Sequence, residues 1–284
     1  LTVRYLIGGG VGANVPSGDL SNLNTTNLKF NNPNLNSTTA NYIFGSIAVN
    51  NPGAADGGQA GDTTEEIRQN TISTISAQQR SVTLDDYIVR ALSMPPEYGT
   101  IAKAYIEKPK LTDEQVSTIE TLNLWALSQN SLGQFSVPTQ TLKKNLRTYL
   151  SQYRIIGDNI EVRNGFIINI ALDFEIIVLP NYNNNDVILS CINSLKSYFA
   201  RDNWQINQPI LVRDLFVRLD KITGVQTVKD IKITNKAGTS SGYSQYAYDI
   251  SSATQNQVIY PSLDPSIFEI KYPDSDIKGR VVPL

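Results

Sequence analysis

Four carboxylates lie close together beside a glycine pair: Asp56, Asp62, Glu65 and Glu66, near Gly57-Gly58. Such a cluster could hold a hard cation. It lacks the alternating ligand spacing of a calcium loop, and acidic residues are also what a helix N-terminus prefers. Arg80, with Asp85 and Asp86 a few residues on, could form an acid/base set or a structural ion pair. The run GGGVGA at Gly8 to Ala13 resembles a phosphate cradle only superficially. No Lys-Ser/Thr follows it, and Pro16 comes where a helix would have to start. Cys191 is the one cysteine, on an apolar stripe, and reads as a small core residue. Trp125 and Trp204 read as core residues or interface anchors.

The chain contains no histidine. That removes the commonest general base, the usual partner of a Ser or Cys nucleophile, and the commonest transition-metal ligand. The expectation is a binding or structural protein, not an enzyme, with no catalytic, cofactor or metal site. A net charge of −2 with scattered Lys and Arg gives no footprint for nucleic acid. No apolar run approaches the roughly 18 residues of a membrane span, and a lone cysteine allows no internal disulfide.

These residues depend on the elements that position them. Asn51 to Tyr87 organises the chain, with β-structure expected before it and helices alternating with strands after it. Thr63 stands three residues before Glu66 and Thr83 three before Asp86. Both spacings place a hydroxyl and a carboxylate to cap a helix start reciprocally. The helices predicted from them run from about Thr64 to Ala77 and from Leu84 to about Ser93, stopped by Pro95-Pro96.

Leu1 to Ile7 reads as a strand, so the chain is expected to be part of a longer protein. Ser21 to Asn41 reads as an Asn-rich loop and Tyr42 to Val49 as a short strand. Downstream, the expectation is a strand at Thr100 to Glu107 and a helix at Thr112 to Gln129. A helix over 138–153 follows, then strands at Ile160 to Val162 and Phe166 to Leu179 joined by a tight Asn164-Gly165 hairpin. Helices at Asp186 to Arg201 and around Leu211 to Leu219 precede a strand at Val225 to Thr234. This β-α-β-β-α-β order predicts an α+β, ferredoxin-like sheet of four antiparallel strands. The layout expected is the end of a β domain (1–52), a Gly-rich junction with helices (53–99), an α+β domain (100–235) and an extended, β-rich tail (236–284) that is not needed to complete the core. Tyr243, Tyr246, Tyr248, Tyr260 and Tyr272, with Phe268, crowd that tail. Either they form a contact surface or they fold onto their own domain.

Asn51-Pro52, Ala55-Asp56-Gly57-Gly58, Glu66-Ile67-Arg68, Gln79-Arg80-Ser81-Val82-Thr83 and Asp86-Tyr87 resemble, in that order, the Baseplate J-like family. Upstream, Val3 to Gly18 is similar to the Gly-rich turn and Asn-Val-Pro that close that family's β domain. The likeness runs from Leu1 to about Lys108 and thins beyond. One departure is Gly61-Asp62, inserted between the glycine pair and the helix. The resemblance implies a structural subunit of a contractile-tail baseplate wedge. It further implies pairing with a second copy and with other wedge proteins, coupling to sheath or hub, and a place in the virion tail after assembly in the host cytoplasm. The alternative is a polysaccharide-binding or hydrolysing fibre or tail-spike module. Amphipathic helices at 138–153 and 186–201 speak against the repetitive β-pattern that such a module needs.

Overall fold

A computed structural model describes residues 10–22, 35–55, 57–58, 61, 63–65, 67–68, 71, 80–108 and 120–283. The fold is α+β, with three sheets among the described residues. The expected strand at Leu1 to Ile7 lies outside them. So does most of the helix predicted from Thr64, of which Thr64, Glu65, Ile67, Arg68 and Thr71 are helical.

The first sheet joins β1 (Lys103–Glu107), β2 (Glu120–Gln129), β3 (Phe135–Ser136) and β4 (Asp158–Asn164). β2 pairs antiparallel with β1 and β3 and parallel with β4. Two helices pack against it: α2 (Leu84–Leu92) and α3 (Gln140–Leu150), α1 being a helix at Ser37–Ser46. Their shared core holds Tyr87, Ala91, Leu142, Leu146 and Leu150 against Ile106, Leu122, Leu124, Ala126 and Ile160. α2 starts on the capping box read from the sequence. The Thr83 side chain accepts from Asp86 N–H and Asp86 returns the bond to Thr83 N–H.

The second sheet is built on β5 (Phe166–Val178). It pairs antiparallel with β7 (Val225–Asn235) and parallel with β10 (Ser266–Glu269) and β11 (Ile277–Val281). α4 (Asn184–Tyr198) and α5 (Val212–Asp220) pack on it. Its core takes Ile168, Ile170, Leu172, Phe174 and Ile176 from one face of β5, with Val187, Cys191, Leu195, Leu215 and Leu219 from the helices. These are the stripes that the sequence periodicity marks, and α2 to α5 all lie where it places helices. A small third sheet joins β6 (Ile210–Leu211), β8 (Thr254–Gln255) and β9 (Val258–Ile259). Two one-turn helices, α6 (Ile250–Ala253) and α7 (Pro273–Asp276), complete the set.

Four expectations are corrected. Tyr42 to Val49 is not a strand. Asn36, whose side chain accepts from Thr39 N–H at 2.8 Å, instead starts α1, which takes in Tyr42 to Ser46. Here a local cap outweighs the β-propensity of Tyr42, Ile43 and Phe44. The described part of the predicted 112–129 helix, from residue 120 on, is strand β2. Leu122 and Trp125 suggest a helical spacing only because a strand buried on both faces is almost continuously apolar. Leu122, Leu124 and Ala126 face one core while Leu127 enters the other.

The Asn164-Gly165 turn is not a hairpin, because β4 and β5 belong to different sheets. Gly165 is where the chain crosses between them. Its N–H donates to Ala126 O at 3.0 Å, and a Cβ there would come 3.0 Å from Leu127 Cγ. The single ferredoxin-like sheet therefore gives way to two larger sheets, both mixed.

The fourth correction concerns 236–284, which is not a tail dispensable to the core. Ile259, Ile267, Phe268, Ile270 and Ile277 are all buried in the larger core. Glu269, 3% exposed, accepts from Phe135 N–H at 3.0 Å, Asn169 Nδ2 at 3.0 Å and Arg201 Nε at 2.9 Å. One carboxylate thus ties β10 to β3, β5 and the segment after α4. Each buried side chain of this size stabilises by about 1.5–3 kcal/mol, so five of them rival the roughly 5–15 kcal/mol of a whole domain. A chain ending at Asn235 is expected to lose its cooperative thermal transition by circular dichroism. A native-like melt would mean that β5 does not need β10 and β11.

Candidate functional site

Asn51, Ala55, Gly57 and Gly58, which carry part of the resemblance, meet the segment from Val11 to Gly18 at a junction, and Asn14 lies at its centre. Asn14 is 1% exposed and was not singled out by the sequence. Its Nδ2 donates to Gly58 O and Gln129 O, each at 2.8 Å, and to Asn130 O at 3.3 Å. Its Oδ1 accepts from Gly58 N–H at 2.6 Å. One amide therefore joins the start of the described chain, the glycine pair and the end of β2. A side chain with both donors and an acceptor can read backbone in this way. The only sequence signal was an Asn between a Gly-rich turn and Val-Pro.

The glycines are required by closeness. Gly57 has φ +93°, and a Cβ on it would sit 2.9 Å from Gly99 Cα. A Cβ on Gly58 would come 2.3 Å from Gly10 O, closer than any packing tolerates. Gly57 O accepts from Thr100 N–H at 2.6 Å and also from the Thr100 hydroxyl. Around them the two segments run side by side: Ala55 N–H donates to Val15 O, Gly18 N–H to Asn51 O, and Asn51 Nδ2 to Pro16 O.

The rest of the predicted junction is spread along the chain. Thr63 O accepts from Ile67 N–H at 2.9 Å, opening the first helical turn. Arg68 forms an exposed ion pair with Glu65. Glu66 lies outside the described residues, as do Asp56 and Asp62. Arg80 is exposed and has no ion pair among the described residues, and Asp86 is occupied as the cap of α2. Tyr87 is the inward anchor of that helix. It is 1% exposed, and its hydroxyl donates to Asp158 Oδ2 at 2.6 Å while accepting from Ile155 N–H at 3.3 Å. Among the described residues, no three His, Cys, Asp or Glu side chains gather where a metal could bind.

The tail aromatics are brought together only in part. Phe268 is buried in the core. Tyr243 donates to Asp276 Oδ1 at 2.6 Å and packs edge-on against Tyr272, with centroids 5.4 Å apart. Tyr246 packs edge-on against Phe166, and Tyr248 donates to Tyr260 O at 2.7 Å. Tyr260 and Tyr272 keep an exposed face. Both tryptophans are inside, Trp125 donating to Glu107 Oε1 and Trp204 stacked on Phe199. Cys191 is fully buried, which pushes its thiol up to about 11.

Set against known proteins, the chain matches no protein-family model, and no curated protein sequence matches it. Among solved structures it is similar to a chain of the anti-feeding prophage baseplate, determined by cryo-electron microscopy with six-fold symmetry. The identity is 13% and the TM-score 0.41, over 84% of this chain and 46% of that one. This chain thus spans about half the length of that relative, a likeness too distant to assign a role.

Replacing Asn14 with Ala takes a hydrogen-bond partner from Gly58 O, Gln129 O and Gly58 N–H, while Asn130 O keeps Gly133 N–H. Each buried group left unsatisfied costs about 1–3 kcal/mol. The expected outcome is a loss of about 3 kcal/mol or more in denaturant unfolding, with faster hydrogen exchange at Gly58. A neutral variant would show that backbone contacts alone hold the junction.

Burial, reinforced by the bond to Asp158, pushes the Tyr87 hydroxyl up to about 12. Burial likewise raises Tyr149 and Tyr243 to about 12. A raised folded-state value favours the protonated phenol. The stability it contributes is complete below the ordinary tyrosine value near 10 and is lost as pH climbs from about 10 to 12. Melting temperature should fall across that window, and less steeply in Tyr87→Phe. A flat profile would mean that the phenols ionise as freely in the fold as outside it.

Proposed function

We propose that this chain is a structural component of a contractile-tail baseplate, acting through interfaces and not through bond-making. The observation that carries this reading is the junction. Of the motifs that resemble the Baseplate J-like family, the turn with Asn14, the Asn51 segment and the Gly57-Gly58 pair meet as close-packed backbone. Their glycines and amide build a rigid corner between segments far apart in sequence, which suits a scaffold that must carry load between neighbours.

In finer terms, the chain is a wedge subunit that pairs with a second copy, binds other wedge proteins around the hub and follows sheath contraction, all within the virion tail. The divisions at 52, 99 and 235 remain the proposed organisation, with 236–284 now built into the second sheet. The outer face near the tail is the proposed contact surface. There Tyr260 is 49% exposed, Leu263 fully exposed and Tyr272 37% exposed. Exposed apolar side chains are what an interface core uses.

The test is assembly. Size exclusion with light scattering should give a dimer for the whole chain. The double change Tyr260→Ser and Leu263→Ser should move it to monomer with its melting temperature within about 2 °C, because both side chains face solvent. A wild-type monomer that also fails to bind its neighbouring tail proteins would overturn the reading.

A further inference from the structure

Among the described residues, β7 pairs with β5 and with no other strand, so it forms an outer edge of the second sheet. Its ladder to β5 is interrupted by bulges at Gln226 and Lys229 and runs unbroken from Asp230 to Asn235. Lys236 prolongs it by one bond, its N–H donating to Asn169 O at 2.8 Å. In an antiparallel ladder, residues that bond inward alternate with residues whose backbone groups point outward. Lys236 bonds inward, and so therefore do Thr234, Lys232 and Asp230. The N–H and C=O groups of Asn235, Ile233 and Ile231 point away from β5. Among the described residues, no other backbone bonds to them.

Edges of this kind are commonly blunted by charge or by bulges. Here the bulges stop at Lys229 and leave the stretch from Asp230 to Lys236 regular. Its charged side chains, Asp230, Lys232 and Lys236, are all exposed. Asp230 stands directly opposite Glu175 on β5, an unfavourable like-charge pair. Neither Asp230 nor Lys236 has an ion pair among the described residues.

The stretch is complementary to itself. A two-fold axis through Ile233 lays a second β7 antiparallel along the first. Asp230 then faces the partner's Lys236, and Lys236 faces the partner's Asp230, on the side of the sheet where both are exposed. The outward backbone groups of Ile231, Ile233 and Asn235 meet across the axis and satisfy one another. An axis through Lys232 would instead oppose two lysines, and one through Ile231 would run the pairing into the bulge at Lys229. The edge also adjoins the contact surface named above. Asn235 Oδ1 accepts from Tyr248 N–H at 3.0 Å, and the Tyr248 hydroxyl donates to Tyr260 O at 2.7 Å. A strand edge is small beside the roughly 20–30 residues a side of a stable interface, and Tyr260 adds apolar area at its end.

We propose that two copies of this chain join through their β7 edges, antiparallel about Ile233, into one continuous sheet. The proposal rests on the reading that the chain pairs with a second copy, and it names the strand and the register of that pairing.

Sedimentation equilibrium of the whole chain measures the dimer dissociation constant. Asp230→Lys and Lys236→Asp each turn two attractive contacts into two repulsive ones and should weaken the dimer roughly tenfold or more. The double reversal should restore it to within about threefold of wild type. Both positions face solvent, so each variant should keep the wild-type circular dichroism spectrum. Hydrogen exchange gives a readout without substitution, and decides alone should a variant misfold. The amides of Ile231, Ile233 and Asn235 should be protected above the dissociation constant and exchange fast on dilution below it. A dimer that ignores the single reversals, that the double reversal fails to restore, or whose Ile233 amide stays unprotected would overturn the edge pairing. Self-association through Tyr260 and Leu263 would then still stand. A chain monomeric at every concentration would also overturn it, whereas the baseplate reading falls only if binding to neighbouring tail proteins fails as well.

Discussion

A thirteen-residue strand buried on both faces cannot leave its backbone unpaired. β5 is such a strand, since Ile167, Asn169 and Ala171 are buried on one side and Ile168, Ile170, Leu172 and Phe174 on the other. Every N–H and C=O withdrawn from water there needs a partner. β7 supplies one set from Ile170 to Val178. The remainder come from beyond Asn235, as β10 along Phe166 to Asn169 and β11 along Leu172 to Ile176. That requirement draws residues a hundred positions away into the core. It also accounts for the shape of the tail, which must pair, turn through α7 and pair again.

The polar interior follows from the same constraint. Asn169 donates to Glu269, accepts from Ser244 N–H through its side chain, and accepts from Lys236 N–H through its carbonyl. Asp276 accepts from Tyr243 and from Tyr272 N–H. Asn14 does the same between the glycine pair and the end of β2. In each case an amide or carboxylate replaces missing strand partners where the chain departs from regular pairing. Such groups stabilise only because they are saturated, since a half-satisfied network is worse than an apolar one.

Helices were legible because an apolar stripe with a period of 3.6 is written locally. Thr83 with Asp86, and Ile188, Cys191 and Leu195, identify α2 and α4 without reference to the rest of the chain. Strand partners are not written locally. β2 lacks the alternation that marks a half-buried strand, and Asn164-Gly165 spells a hairpin although Gly165 is needed for closeness to Leu127. The tail read as detached because its strands are short, broken by Pro261 and Pro265, and complete a sheet begun far upstream. Among the site residues, the Gly57-Gly58 pair could be read as a turn. Asn14 could not be read as its clamp, because Gly58 and Gln129 are brought to it only by the tertiary fold.

The distribution of satisfied and unsatisfied polar groups is uneven. Asn14, Asn169, Glu269 and Asp276 are each buried, and each has partners within the chain. They are explained by the fold, and nothing external is needed to account for them. Arg90 and Ser81 are buried to a similar degree and are not explained by it. A guanidinium withdrawn from water is harder to sustain than any of those four, because it adds the desolvation of a charge to the loss of a hydrogen bond. The cation–π contact with Tyr153 contributes on the order of 2 kcal/mol for a desolvated pair, set against the several kcal/mol that desolvation takes. Arg90 Nη2, Ser81 Oγ and Asn164 Oδ1 are thus the points, among the described residues, where the fold leaves a buried polar atom without a partner.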